Sequence, residues 1–192
     1  NSKMEKLTDK YLWKSLKEGD LKAFAVLFET YYPLLHSYGL KISKNEVLTE
    51  DTLQDFFLYI YEKRENLSDL DTIAPYLFTS YKRFIIKVIT KNKKMKTTDF
   101  SEEIITDIQF TKEELIMNQE TAIFKNKKVE VLLNKLPKRQ KEAIYLKYYS
   151  ELKTAEIAEI MNINYQSVVN TLHKAIKSLK EDISILKLFK SL

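Results

Sequence analysis

Cysteine is missing from this chain of 192 residues. Its absence excludes a disulfide framework, a thiolate nucleophile and a cysteine-based zinc site. Histidine occurs only as His36 and His173, too few for a metal cluster or a triad to be easily assembled. Two glycines and three prolines leave little material for tight turns, which argues for an all-α chain. They also leave no Gly-rich loop to cradle a phosphate. With the acids spread over solvent faces, an enzyme is disfavoured and no cofactor is expected. No apolar run approaches the roughly 20 residues of a membrane span, and nothing at the N-terminus resembles a signal peptide. The chain reads as cytoplasmic.

What is present is ordinary in amount and uneven in distribution. Apolar residues make up 44% of the chain, which marks it as globular. The net charge is +5, with 32 Lys and Arg against 27 Asp and Glu. Residues 1–91 hold 14 of those cations and 13 of the acids, and residues 92–125 hold 5 and 7. Residues 126–192 hold 13 and 7, so the C-terminal part is the candidate for contact with a polyanion.

That part contains the stretch around which the chain is organised. Val168, Leu172, Ala175, Ile176 and Leu179 recur at the spacing of one helical face. Gln166, Asn170, His173, Lys174 and Lys177 gather on the opposite face, which has no carboxylate before Glu181. Asn164 stands where an N-cap belongs, and residues 154–161 form a shorter helix ahead of a polar turn at 162–164. Two short helices so joined read as a helix-turn-helix whose second member enters a major groove. A plain helical hairpin with a solvated face fits the same pattern.

Toward the N-terminus, Leu12, Trp13 and Leu16 lie on a helix that Gly19 ends, and Asp20 is placed to cap the next, with Phe24, Leu27, Phe28 and Tyr31 as its stripe. This block reads as scaffold. Between 49 and 62, Leu53, Phe56, Phe57, Ile60 and Tyr61 share a core face, while Asp51, Gln54, Asp55, Leu58 and Glu62 share the other. A leucine framed by carboxylates suits a partner with basic and apolar groups, although lone exposed leucines are common. Residues 64–73 are polar and turn-forming, and Pro75 begins a long helix. Its outer side carries Ser80, Arg83, Lys87, Lys91 and Lys94, a row that could track a phosphate backbone, with Tyr76 beside it as a stacking platform. A solvated lysine stripe looks the same. Residues 92–125 mix acids with scattered apolars and read as a linker with weak helical tendency over 112–119. Helical period returns with Leu132, Leu133 and Leu136, and Pro137 opens a helix carrying Ile144 and Tyr148. The last ten residues form an apolar and basic tail, expected to pack on its own domain.

Taken in order, these motifs resemble a bacterial RNA polymerase sigma factor of the two-domain, extracytoplasmic-function class. The resemblance rests on Gly19-Asp20 with Ala23-Phe24, Leu27 and Tyr31, on Glu50-Asp51 with Gln54-Asp55 and Phe57-Leu58, and on Tyr76-Leu77-Phe78 with the basic helix after it. It continues in Leu136-Pro137 with Arg139-Gln140, in Ala155-Glu156-Ile157-Ala158, and in Val168 with Leu172-His173-Lys174-Ala175. It implies two small helical domains, 4–96 and 126–192, joined by a flexible linker over 97–125. It implies core RNA polymerase and promoter DNA as partners; an anti-sigma factor, if one exists, would occlude the same faces. Asp51, Gln54, Asp55, Leu58 and Glu62 become the polymerase-binding face. Asn66, Ser68, Tyr76, Arg83, Lys87, Lys91 and Lys94 become the site that melts and holds the proximal promoter element. Lys153, Thr154, Tyr165, Gln166, Ser167, Asn170, Lys174 and Lys177 become the readers of the distal element, with Lys153 and Lys177 on phosphates. The chain departs from the family pattern at Lys82-Arg83-Phe84, where Arg or Lys followed by Asn is usual, and at Glu151, where Gly is customary. Val169 and Thr171 occupy recognition-helix positions that are often basic. The alternative is a stand-alone helix-turn-helix regulator with an N-terminal sensing or dimerisation domain.

Overall fold

The computed structural model describes the backbone of residues 2–92, 107–111 and 129–188, and the side chains of 8–91, 107–111 and 129–182. The chain divides into two compact units, Asn1–Ile104 and Ile105–Leu192, and no strand occurs among the described residues.

The first unit holds α1 (Ser2–Lys17), α2 (Leu21–Ser43), α3 (Glu46–Lys63), a single 3-10 turn (Arg64–Asn66) and α4 (Ile73–Asn92). Gly19, at φ +87°, ends α1 in a paired closure. Its N–H donates to the Leu16 carbonyl at 2.9 Å, and the Asp20 N–H donates to the Ser15 carbonyl at 3.0 Å. The Asp20 carboxylate then accepts from the Lys22 N–H at 2.8 Å and starts α2, as its position predicts. Asn45 caps α3 through the Leu48 N–H at 2.9 Å. The cap of α4 comes from another helix: Asp9 of α1 accepts the Ile73 N–H at 3.0 Å.

The α2 helix packs on both α3 and α4. It continues without a break through Pro33, a residue that removes one helical hydrogen bond. The proline is exposed, while Leu35 and Tyr38 beyond it are fully buried, so packing outweighs the local cost. Gly39 marks the closest approach. A Cβ there would fall 2.4 Å from Tyr81 Oη and 3.0 Å from Thr49 Cγ2. Around this junction the core is rich in aromatics: Tyr38, Phe56, Phe57, Phe78 and Tyr81 are all buried. Burial pushes the Tyr81 phenol well above its ordinary pKa.

The second unit holds α5 (Val129–Lys135), α6 (Lys138–Tyr148), α7 (Thr154–Ile160) and α8 (Tyr165–Leu188). Val168, Leu172, Ala175 and Leu179 are buried as their period predicts. Backbone at φ +54° for Glu151 and +51° for Asn162 turns the chain before and after α7. A left-handed residue at 151 is the physical reason a glycine suits that position.

The linker expectation needs correction at residues 107–111. Ile108 and Phe110 are fully buried in the second unit. The Asn134 side chain accepts from the Phe110 N–H at 2.8 Å and donates to its carbonyl at 3.1 Å. The Phe110 ring packs against Tyr149 and Tyr145, with centroids 5.4 and 6.4 Å away. The carboxylate of Asp107 pairs with the buried ammonium of Lys141, supplying the partner that a buried charge requires. Two apolar side chains spaced i, i+2 in an acidic stretch carry no helical period, and a side-chain amide satisfies the backbone in place of a neighbouring helix or strand. The helical tendency expected over 112–119 lies outside the described residues, as do the side chains of the C-terminal tail.

Candidate functional site

Three faces carry the candidate residues. On α3, Asp51, Gln54, Asp55, Leu58 and Glu62 are all exposed, and Leu58 keeps 55% of its surface open to water. Leu53, Phe56, Phe57 and Ile60 on the other side are buried, and Tyr61 is half-buried. Val47, 67% exposed, extends the outward row by one turn; sequence reading passed over it because it precedes the first acid pair. Glu46, Glu50, Asp51, Asp55 and Glu62 stand on α3 against one cation, Lys63, so the face is acidic with an apolar centre. His36 stacks on Tyr32 beside it, with Nε2 3.9 Å from Glu50 Oε1.

The second face lies on α4 and the loop before it. Arg83, Lys87 and Lys91 are exposed and recur at the spacing of one side of the helix. Lys94 lies outside the described residues. Asn66 ends the 3-10 turn, and Ser68 is exposed, its carbonyl accepting the Trp13 indole N–H at 2.8 Å. Tyr76 departs from the expected open platform. It is half-buried and meets Trp13 edge-on, with centroids 5.3 Å apart and planes at 67°. Burial also pushes its phenol up. Trp13 is thus more than scaffold, because it ties the loop to α1. Further ties are missing from the sequence reading: Lys17 Nζ lies 2.5 Å from Asp69 Oδ1, and Lys10 Nζ lies 3.6 Å from Asp71 Oδ1. The hydrogen bond from Lys17 holds the Asp69 carboxyl below its usual range. The signal for these ties was present as lysines at i, i+4 and i+7 of α1 (10, 14 and 17).

The third face is the helix-turn-helix. The Asn164 side chain accepts the Ser167 N–H at 2.7 Å and so caps α8. Gln166, Asn170, His173, Lys174 and Lys177 are exposed on one side of that helix, and Tyr165 is exposed at its first position. Gln166 donates to the Asn170 side-chain oxygen at 3.1 Å, which aligns the two amides as a pair. Ser167 is half-buried, and its carbonyl accepts the Thr171 hydroxyl at 2.7 Å. Lys177 lies 3.9 Å from Glu181, an exposed i, i+4 pair that a phosphate could displace. At the start of α7, the Lys153 N–H donates to the Glu156 carboxylate at 2.7 Å, the Lys153 side chain is exposed and Thr154 is half-buried. Among the described residues no group of three His, Cys, Asp or Glu could hold a metal ion, and no helix is long and apolar enough to cross a membrane.

A recognition helix with no carboxylate before Glu181, held by a capped turn on a chain with a separate helical unit, defines the class of DNA-binding, all-α transcription proteins. Comparison with known proteins takes this further. The family model Sigma-70 region 2 matches residues 27–95, and Sigma-70, region 4 matches residues 126–179. The RNA polymerase sigma factor SigV of Bacillus subtilis (strain 168) is 28% identical over 161 residues, spanning 81% of this chain and 89% of that protein. The ECF RNA polymerase sigma factor SigW of the same organism is 23% identical over 180 residues, spanning 88% and 94%. Among solved structures, CnrH in complex with the cytosolic domain of CnrY matches with a TM-score of 0.60 at 16% identity, covering 92% of this chain and 97% of that one. The sigma factor RpoE of Bartonella quintana, crystallised with the anti-sigma factor NepR, matches with a TM-score of 0.56 at 19% identity, covering 86% and 99%; at such identities the likeness is one of fold. The chain belongs to the sigma-70 family, in its extracytoplasmic-function class, and is a sigma factor of transcription initiation.

Proposed function

We propose that this chain docks on core RNA polymerase through Asp51, Gln54, Asp55, Leu58 and Glu62, reads the distal promoter element with α8, and opens the proximal element with α4 and its preceding loop. The observation that carries the reading is the exposed acidic row around Leu58 on α3, in a chain whose other unit presents a recognition helix. A stand-alone regulator has no use for that row. Gln166 and Asn170 have the amide chemistry that meets base edges, whereas Lys174, Lys177 and Lys153 suit phosphates. Arg83, Lys87 and Lys91 suit the backbone of a separated strand. Binding energy does the work, with no bond made or broken by the chain itself. Because RpoE was solved with the anti-sigma factor NepR, and CnrH with the cytosolic domain of CnrY, an anti-sigma factor covering these faces is part of the proposal.

The test is reconstitution. The purified chain added to core polymerase should yield run-off transcripts from a discrete promoter set. Asp51→Lys with Asp55→Lys should abolish co-purification with core polymerase while the far-UV circular dichroism and melting temperature stay as in the parent, since both side chains face water. Normal polymerase binding by the double variant would sink the assignment of α3.

A further inference from the structure

Outside the three faces, α1 carries a row of cations that meets an acidic loop. Lys10, Lys14 and Lys17 share one side of the helix, and the row runs about 10 Å along its axis. With Trp13, Leu70 and the carboxylates of Glu18, Glu65 and Asp69 they border a cavity of about 450 Å³, within the span typical of ligand sites. The indole of Trp13 is almost wholly buried beside it.

The loop places carboxylates where an anion would sit. Asp69 Oδ1 is 2.5 Å from Lys17 Nζ, and Asp71 Oδ1 is 3.6 Å from Lys10 Nζ. Lys14, between them, pairs with Glu18 of its own helix at 3.8 Å. The two ion pairs are not the loop's sole ties to α1, because Asp9 caps Ile73 and the Trp13 indole holds the Ser68 carbonyl. Asp69 and Asp71 also offset the charge of the row.

We propose that Lys10, Lys14 and Lys17 form a track for the phosphodiesters of single-stranded DNA, and that Asp69 and Asp71 occupy it in the free chain as internal stand-ins for phosphate. A nucleic-acid strand is favoured over an acidic protein segment because the same loop leads into α4, which carries a second exposed cationic row at Arg83, Lys87 and Lys91. The inference rests on the sigma-factor reading in that respect. Ion pairs between exposed side chains are weak, and a polyanion gains counterion release when it replaces them. The carboxylates therefore set a threshold for strand binding and do not bar it.

The experiment uses the full chain and a fluorescein-labelled oligo-dT in anisotropy titrations over a salt series. Asp69→Asn with Asp71→Asn should bind about three- to tenfold tighter. Its logarithmic salt slope should be steeper by about 1.4, from two more phosphates at roughly 0.7 each. Lys14→Ala, which touches neither loop carboxylate, should weaken binding about two- to threefold. A double variant that binds no tighter, whether it melts normally or early, overturns the proposal, the early melt showing the aspartates to be pins. Altered capture of core polymerase with unchanged oligonucleotide binding also overturns it, making the row a protein contact. Run-off transcription by the parent chain separates the two readings. Initiation without tightening by the double variant sinks this inference alone, whereas a parent that never initiates sinks the sigma-factor reading and leaves the titration to be judged by itself.

Discussion

At the scale of single residues, two side chains hold conformations or environments with a measurable cost. Glu151 carries φ +54°, a region where a side chain costs about 1–2 kcal/mol. Glu151→Gly should therefore raise stability by about 0.5–1.5 kcal/mol in urea denaturation, even though glycine also gains entropy in the unfolded chain. Tyr81 gives a pH dependence. Its folded pKa stands above the ordinary phenol value of 10.0 because of burial, so the folded state keeps a proton that the unfolded state releases. Stability is then undiminished below pH 10.0 and falls as the pH rises beyond it. Tyr81→Phe keeps the ring and removes the titration. The alkaline limb of the stability curve should be shallower in this variant, and an unchanged limb would place the effect elsewhere.

At the scale of elements, the short segment 107–111 behaves as part of the second unit's core. Phe110→Ala should cost about 3–5 kcal/mol, as for other buried phenylalanines, a large share of a typical domain's stability. Asn134→Ala should cost about 1–3 kcal/mol by leaving the Phe110 backbone groups unpaired. Chemical denaturation of the full chain, followed by a probe in the second unit, measures both. The contrast with α7 and α8 explains what could be read in advance. Asn164, the turn at 162–164 and the apolar stripe from Val168 to Leu179 are local signals, set by capping and helical period, and they gave the helix-turn-helix from residues alone. The row Asp51 to Glu62 was legible for the same reason. Segment 107–111 was not, because its stability comes from Asn134, Lys141, Tyr145 and Tyr149, at least 23 residues away in the chain. Nor was the passage of α2 through Pro33 and Gly39, residues that usually interrupt a helix: Leu35 and Tyr38 beyond the proline are buried, and Gly39 is packed against Tyr81 and Thr49. Tyr76 was placed on the right helix but given the wrong surroundings, because its neighbour Trp13 belongs to α1.

At the scale of the whole molecule, each unit in its proposed role offers a modest DNA-contacting surface, and joined binding sites gain affinity only where the geometry lets both engage at once. The isolated chain should bind promoter duplex weakly in gel-shift titrations, and the polymerase-bound chain tightly; strong specific binding by the chain alone would argue against division of labour with the polymerase. Within the bound state, Lys174→Ala should weaken all templates about equally, while Gln166→Ala or Asn170→Ala should relax preference at particular base pairs by about 1–3 kcal/mol. The seating of Phe110 bears on how such halves can be exchanged. The family match to the second unit begins at 126, yet the folded body already includes residue 107. A hybrid spliced at the edge of sequence similarity would therefore inherit a recognition module stripped of its own keystone, and grafts between relatives should be cut upstream of Asp107.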